Sequence, residues 1–403
     1  MTDMTLLAPR PEHVPEALAF DFDISHDPLM RPDIYLGLIE LNRRTPEIFW
    51  TPRYGGHWVV RSHEAIFEVS RDYDRFSSDL TKVSDNRMML PIFLDPPEHY
   101  AYRKILLGVF SPKAVNAMLP RIRELTSGIT RDLAPKGRCE FVGDVSEVIP
   151  VTIFMQMLGI PTEMRLPLRK LIVASLIEGH PDDRDRIFAE MEEMLRTIIE
   201  ARVIKREHDI ISSMLDTDLD GHGRPPTFEE ISSFVVFLTT AGLDTVTNAM
   251  SFSARHLATD IELQERIRAD RSLIPDFIEE MLRRYAVSSV IRYVTEDTSF
   301  RGVGMIKGER VHVLLPAGNL DDAVYPDPAK AELGREEPAI TFGTGVHRCL
   351  GSHLARLELR ILFEDMLSNW PTFGVDPTDP PSESAGMVYS VDRLPLVWQP
   401  RAS

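Results

Sequence analysis

The chain has 403 residues, 43% of them hydrophobic and 27% charged, a composition that can fill a sizeable core and excludes a disordered protein. A formal net charge of -17 at pH 7 disfavours nucleic acid and anionic membranes as general partners, because a surface of that sign repels phosphate. The two cysteines, Cys139 and Cys349, stand far apart in unlike surroundings, which excludes a disulfide framework and points to a reducing compartment.

The start, MTDMTLLAPRPEHVPEALAF, has no basic segment ahead of an apolar core, and no run of about 18 apolar residues occurs. A soluble cytoplasmic chain without a membrane segment is expected. In chain order, HWVVRS at 57–62 alternates as a strand does. SPKAVNAMLPRIRELTSGITRDLA around 111–134 and RDRIFAEMEEMLRTIIEARVIK around 184–205 repeat apolar residues every three or four and predict helices. DLDGHGRPP at 218–226 is a loop-like break.

After that break Thr227 and Glu230 have the spacing of a capping box, ahead of FEEISSFVVFLTTAGLDTVTNAMSFSARHLA. This helix carries apolar and small residues on all faces, so it is expected to run through the interior. Thr239-Thr240-Ala241-Gly242 at its middle predicts a bend or widening. Asp244 and Thr245 follow at once, and burying such groups unpaired costs roughly 2–7 kcal/mol, so their presence needs a reason. RYVTEDTSFRGVGMIKGERVHVLLPAG at 292–318 alternates around glycine-bearing turns and predicts hairpins. No internal repeat or low-complexity linker divides the chain, and one helix-dominated domain over 1–403 is expected.

Near the C-terminus, FGTGVHRCLGSHLARLELRILFEDML sets Cys349 after a glycine-punctuated turn and before a helical pattern. A thiol at a helix N-terminus is expected to have a lowered pKa and to serve as a nucleophile or a metal ligand. The plain alternative, an inert buried cysteine, is the reading given to Cys139 in GRCEFV.

The run from Phe342 to Gly351, FGTGVHRCLG, resembles the heme-binding signature of the cytochromes P450. Ala241-Gly242-Leu243-Asp244-Thr245 resembles that family's oxygen-activation segment, and Glu280-Met281-Leu282-Arg283 its Glu-x-x-Arg motif, in the family's order. DPPEHYAYR at 95–103, AGLDTVTNAMSFS at 241–253 and GMVYSVDRLPLVW at 386–398 resemble the bacterial camphor-hydroxylase branch, so the likeness runs essentially the whole length. It implies a mainly α fold with a smaller β region (α+β), a triangular helical prism with a long central helix.

The resemblance implies a heme-thiolate monooxygenase with heme b (iron protoporphyrin IX) as cofactor. It makes Cys349 the axial thiolate, which pushes electron density to the iron. His99 and Arg103, four residues apart on one helix face, resemble heme-propionate partners together with Arg292 and His347. Asp244 and Thr245 would deliver protons during dioxygen activation, and Glu280 and Arg283 would form a structural buried ion pair with Arg335 as third member. Departures are Thr344 in place of a longer polar side chain, Arg348 in place of an apolar one, and a segment GNLDDAVYPDPAKAELGREE at 318–337 without the familiar Asn-Arg-Asp and Phe-Asp pairs.

The same resemblance lays KVSDNRMMLPIFLD at 82–95 over the substrate pocket, where camphor hydroxylases use a tyrosine to bond the ketone; this stretch has none. Met88, Met89, Leu90 and Ile92, with Thr240, Val287, Met387 and Val388, are the expected lining. A compact hydrophobic substrate follows, an alicyclic terpenoid or norisoprenoid ketone held by shape, with camphor a poor ligand. The chain has no flavin, nicotinamide or iron–sulfur motif, so electrons are expected from a two-iron two-sulfur ferredoxin with its NADH-dependent reductase. That ferredoxin would dock on Arg103, Lys104 and Arg348. The alternatives are a peroxide-driven peroxygenase, which would carry an arginine in place of the acid–alcohol pair, a non-catalytic heme sensor, and a cysteine hydrolase, which lacks a suitable histidine and orienting group.

Overall fold

A computed structural model describes residues 7–79, 89–177, 181–219 and 221–400. Its helices are α1 (Ile34–Arg44), α2 (His63–Arg71), α3 (Glu98–Leu107), α4 (Pro112–Ala117), α5 (Leu119–Leu133), α6 (Val148–Leu158), α7 (Arg165–Ile177), α8 (Pro181–Ile204), α9 (Ile210–Leu215), α10 (Phe228–Thr259), α11 (Ile261–Ala269), α12 (Ile274–Arg284), α13 (Leu315–Gly318) and α14 (Ser352–Asn369). The strands are β1 (Ile48–Thr51), β2 (His57–Val60), β3 (Phe76–Ser77), β4 (Arg138–Glu140), β5 (Val290–Val294), β6 (Thr298–Phe300), β7 (Val303–Met305), β8 (Arg310–Val313), β9 (Phe373–Val375), β10 (Ser382–Ser384), β11 (Ser390–Arg393) and β12 (Pro395–Trp398).

The largest sheet has the order β1-β2-β8-β5-β3, with β2 parallel to β8 and the other pairs antiparallel. β2 is buried at all four positions, so its HWVV reads as a covered strand, and Ser62 beyond it caps α2 instead of extending it. β6 and β7 form the expected hairpin, while the end of the 292–318 stretch turns into α13. The helix expected over 111–134 divides at Met118, because Pro120 has no N–H to continue the ladder of α4 and suits the first turn of α5.

α10 runs 32 residues, and both halves of its capping box form: the Glu230 amide donates to Thr227 Oγ1 at 3.3 Å and the Thr227 amide to Glu230 Oε2 at 2.6 Å. Its interior position arises from packing on both flanks. Met250, Phe252 and Leu257 join one apolar cluster with α12 and α14, and Ile231, Phe234 and Leu243 join another with α6 and α8. A third cluster lies under the large sheet around Trp58 and Val313. Of the bend or widening expected at 239–242, the widening does not occur, because α10 is α-helical throughout. The hydroxyls of Thr239 and Thr240 donate to Val235 O at 2.6 Å and Val236 O at 2.9 Å, adding to the helical bonds without displacing them.

Candidate active site

One face of α10 is unlike the rest of this interior helix. Ser233, Phe237, Thr240, Ala241, Asp244 and Thr245 keep accessible surface, with Gly242 and Val246 beside the last of them, while Phe234, Val235, Val236, Leu238, Thr239 and Leu243 are buried. Spacings of three and four put the accessible set on a single stripe, so that stripe borders an internal space. Cys349 also keeps accessible surface although it lies deep enough for burial to raise its thiol pKa. Its surface therefore faces an internal space and not bulk solvent.

The glycines of the cysteine loop explain its path. Gly345 has φ +69°, and a Cβ there would come within 2.4 Å of the Ser70 carbonyl oxygen at the end of α2, so only glycine lets the loop pass. The Cys349 amide donates to Phe342 O at 2.8 Å and closes the turn. α14 begins three residues later, and the expected lowering of the thiol pKa does not appear: burial pushes it up, against the Gly351 amide and the guanidinium groups of Arg103, Arg348 and Arg356, which pull it down. A thiol raised by burial is a poorer free nucleophile, and a cation bonded to the sulfur would favour its ionised form.

Three segments bring four cationic or imidazole groups together. α3 supplies His99 and Arg103, β5 supplies Arg292, and the cysteine loop supplies His347. The His99 and His347 rings lie 4.3 Å apart between centroids. Neither ring nitrogen of His99 nor Nε2 of His347 has a partner, although His99 is fully buried. Arg292, 6% exposed, donates Nη1 to Ile291 O at 2.8 Å, and Arg103 donates to Arg348 O. Burial pushes Arg292 down to about 10, and burial reinforced by repulsion from the neighbouring cationic groups pushes His99 down to about 4 and His347 to about 2. Among the described residues, the ring nitrogens of His99 and Nε2 of His347 meet no hydrogen-bond partner. Asp95 is an acidic neighbour the sequence reading missed: it is buried, accepts from the Ser77 hydroxyl and from the Ser78 amide at 3.0 Å, and pulls the pKa of Arg292 and His99 up. Its only sequence signal was the aspartate heading DPPEHYAYR.

On α10, Thr245 Oγ1 donates to Ala241 O at 3.1 Å, so its lone pairs remain turned outward. Asn248, also missed, donates to Asp244 O at 2.9 Å and accepts from the Val391 amide at 3.1 Å, tying the turn that bears Asp244 to β11. Glu358 on α14 is 1% exposed with neither carboxyl oxygen bonded, and burial pushes its pKa up to about 8.

Glu280 and Arg283 form a buried bidentate pair, Nε to Oε2 and Nη2 to Oε1 both at 2.8 Å, and Arg335 Nε reaches Glu280 Oε1 at 3.4 Å. Met88 lies outside the described residues. Met89, Ile92, Thr240, Met387 and Val388 are partly accessible and Val287 is 7% exposed. The Leu90 amide donates to Ser233 Oγ at 3.0 Å, anchoring the 89–95 segment on the accessible side of α10. Bonds from the Ser289 amide to Met387 O at 3.1 Å and the Tyr389 amide to Val287 O at 2.7 Å hold the last three candidates in one unit. Phe237, one turn before Ala241 on the stripe, was missed because an apolar residue in an apolar helix carries no mark of its side.

A family model described as cytochrome P450 matches residues 155–393, more than half of the chain, and the chain belongs to that family. It resembles cytochrome P450 109 of Bacillus spizizenii, 30% identical over 354 residues covering 84% of this chain and 86% of the relative. The steroid C26-monooxygenase of Rhodococcus jostii is 30% identical over 374 residues, covering 84% and 78%. Among solved structures, that of CYP101J2 superposes with a TM-score of 0.88 at 34% identity, covering 97% of this chain and all of that one. The fold is the P450 fold, and the chain is a P450 monooxygenase whose cofactor is heme b. The residues fit that group: an accessible interior sulfur, and buried donors without acceptors where two propionates would supply them. Among the described residues no helix is long and apolar enough to cross a membrane.

Proposed function

We propose that the chain, acting as one domain, hydroxylates a compact hydrophobic substrate, an alicyclic terpenoid or norisoprenoid ketone, with dioxygen and two electrons from a two-iron two-sulfur ferredoxin and its NADH-dependent reductase. The observation that carries this reading is the single accessible stripe on α10, which sets Thr240 and Ala241 beside Asp244 and Thr245 and has the 89–95 segment anchored across its first turns. Apolar Met89, Ile92, Val287, Met387 and Val388 select by shape and exclude water.

Cys349 would hold the iron, while Arg103, Arg292, His347 and His99 would hold the propionates, the imidazoles gaining the acceptors they lack. When bound, the heme supplies dioxygen reduction at its metal. The chain's own part is to place protons. Thr245 Oγ1, fixed by Ala241 O, presents an acceptor toward the cavity, and Asp244, half-accessible, connects that side with solvent. The acid–alcohol pair argues against a peroxygenase and against a sensor, neither of which needs it. Arg348 and Arg103 are accessible on the cysteine side and, with Lys104, suit an acidic ferredoxin.

Titrating the purified heme protein with a panel of hydrophobic compounds and following its spin state tests the substrate class. Strong high-spin shifts are expected with compact alicyclic ketones and weak ones with camphor; shifts confined to steroids, fatty acids or macrolides would overturn it. Thr245→Ala is expected to lower product per reducing equivalent by about tenfold or more and raise peroxide correspondingly. An undiminished yield would favour the sensor reading.

A further inference from the structure

Gly242 lies in the turn of α10 that leads into Asp244 and Thr245, and Phe154 of α6 lies against it. A Cβ built on Gly242 would come within 2.7 Å of ring atoms Cδ1 and Cε1 of Phe154 and 2.8 Å of Cγ, distances that real Cβ atoms do not tolerate. Phe154 is 6% exposed and packed in the same apolar cluster as Leu243 and Leu238, so its ring has no free volume to enter. The contact includes Cγ, the ring atom next to the Phe154 backbone, so turning the ring about its own axis does not relieve it. Ring and bare backbone touch directly, and the aromatic ring sets the spacing of the two helices at this turn. Ala241, Asp244 and Thr245 keep accessible surface, as do Gly242 and Val246, so α10 is incompletely backed by protein at this turn. Any thickening between Phe154 and Gly242 pushes the turn away from α6, and any thinning lets it approach.

We infer that Phe154 is a positioning residue for proton delivery: with Gly242 it fixes how far the Asp244–Thr245 turn projects into the cavity. The inference rests on the role proposed above for that pair. In the coupled reaction, substrate, O2, two electrons and two protons give hydroxylated product and water. In the uncoupled one O2, two electrons and two protons give hydrogen peroxide. A turn displaced by a fraction of an ångström alters the division between these outcomes without altering any reacting group, and misplacement by about 1 Å costs on the order of a hundredfold in well-studied sites.

The test compares holoenzyme carrying Gly242→Ala, Phe154→Leu, both together, or Thr245→Ala. Peroxide per reducing equivalent and the high-spin fraction at saturating substrate are measured, with heme content and unfolding as checks on the fold. Gly242→Ala is expected to raise the peroxide share by up to about tenfold and to reduce the high-spin fraction; Phe154→Leu alone shifts both by a smaller amount; the double variant returns toward the parent in both. Should Gly242→Ala fail to take up heme, the double variant must restore uptake. A double variant no better than Gly242→Ala, or a Gly242→Ala protein with parental values in both readings, overturns the inference. A parental peroxide share in Thr245→Ala instead overturns the role of the acid–alcohol pair, and rescue of the spin state by the double variant still decides whether Phe154 sets the position of the turn.

Discussion

Two buried cationic clusters lie within the fold, and their hydrogen bonding is opposite. Around Glu280 the charges are matched: Arg283, 2% exposed, bonds both carboxylate oxygens, Asn319 O at 2.8 Å and Pro328 O at 3.0 Å, and stacks over Tyr325 at 5.1 Å. Around His347 Asp95 supplies a carboxylate, but among the described residues the His99 ring nitrogens and His347 Nε2 make no hydrogen bond, and burial pushes the pKa of both imidazoles down. Protein interiors leave few polar groups unmet. A cluster satisfied by the chain alone holds structure, and one left unsatisfied by the chain reserves its donors for something else.

That contrast predicts different failures. Glu280→Ala strands Arg283 as an uncompensated buried charge and is expected to destabilise the protein by about 3–5 kcal/mol, read by denaturant unfolding with and without heme. Glu358 belongs to neither cluster and sharpens the comparison as a lone buried carboxyl. Its pKa is raised to about 8 in the folded protein, whereas the unfolded chain ionises near the ordinary value of 4.5, so the unfolded state binds fewer protons between those limits. Stability should fall as pH rises from about 4.5 to 8, by roughly 3–4 kcal/mol, and Glu358→Gln should flatten that decline in unfolding midpoints measured across the range.

Arg292→Ala acts on the unsatisfied cluster and is expected to leave unfolding of the heme-free protein within about 0.5 kcal/mol of the parent, while heme transfer to apomyoglobin accelerates roughly 10- to 100-fold, the worth of one or two charge-assisted bonds. Equal losses of stability with and without heme would erase the distinction between the clusters. The smallest effect is at the surface: Lys104→Glu with Arg348→Glu should slow ferredoxin association by about tenfold at low salt and lose that difference at high salt, followed by stopped-flow reduction.

Much of this was legible in the sequence where one residue type answers one demand. Thr227 and Glu230 announced the start of α10 because a capping box is local, and the glycine-punctuated turn before Cys349 announced an unusual backbone path, which at Gly345 passes beneath Ser70 O. His99, Arg292 and His347 became a cluster only through three segments distant in sequence, and the motif resemblance grouped them before any spacing could. Other features were misjudged or missed for physical reasons. The helix expected over 111–134 broke at Pro120, a local rule outweighed by a strong apolar period. The Cys349 thiol is raised because burial outweighs the helix terminus, and burial is not a local property. Asp95, Asn248 and Phe154 act through partners on other elements, so nothing in their own neighbourhood in the chain marks them.

The central claim is a bond between the Cys349 sulfur and heme iron, and the absorption of the reduced carbon monoxide complex reports it most directly. The account predicts the red-shifted Soret band of thiolate ligation in the parent protein and its loss in Cys349→Ser. A globin-like band in the parent, or a band unchanged by the substitution, would contradict it.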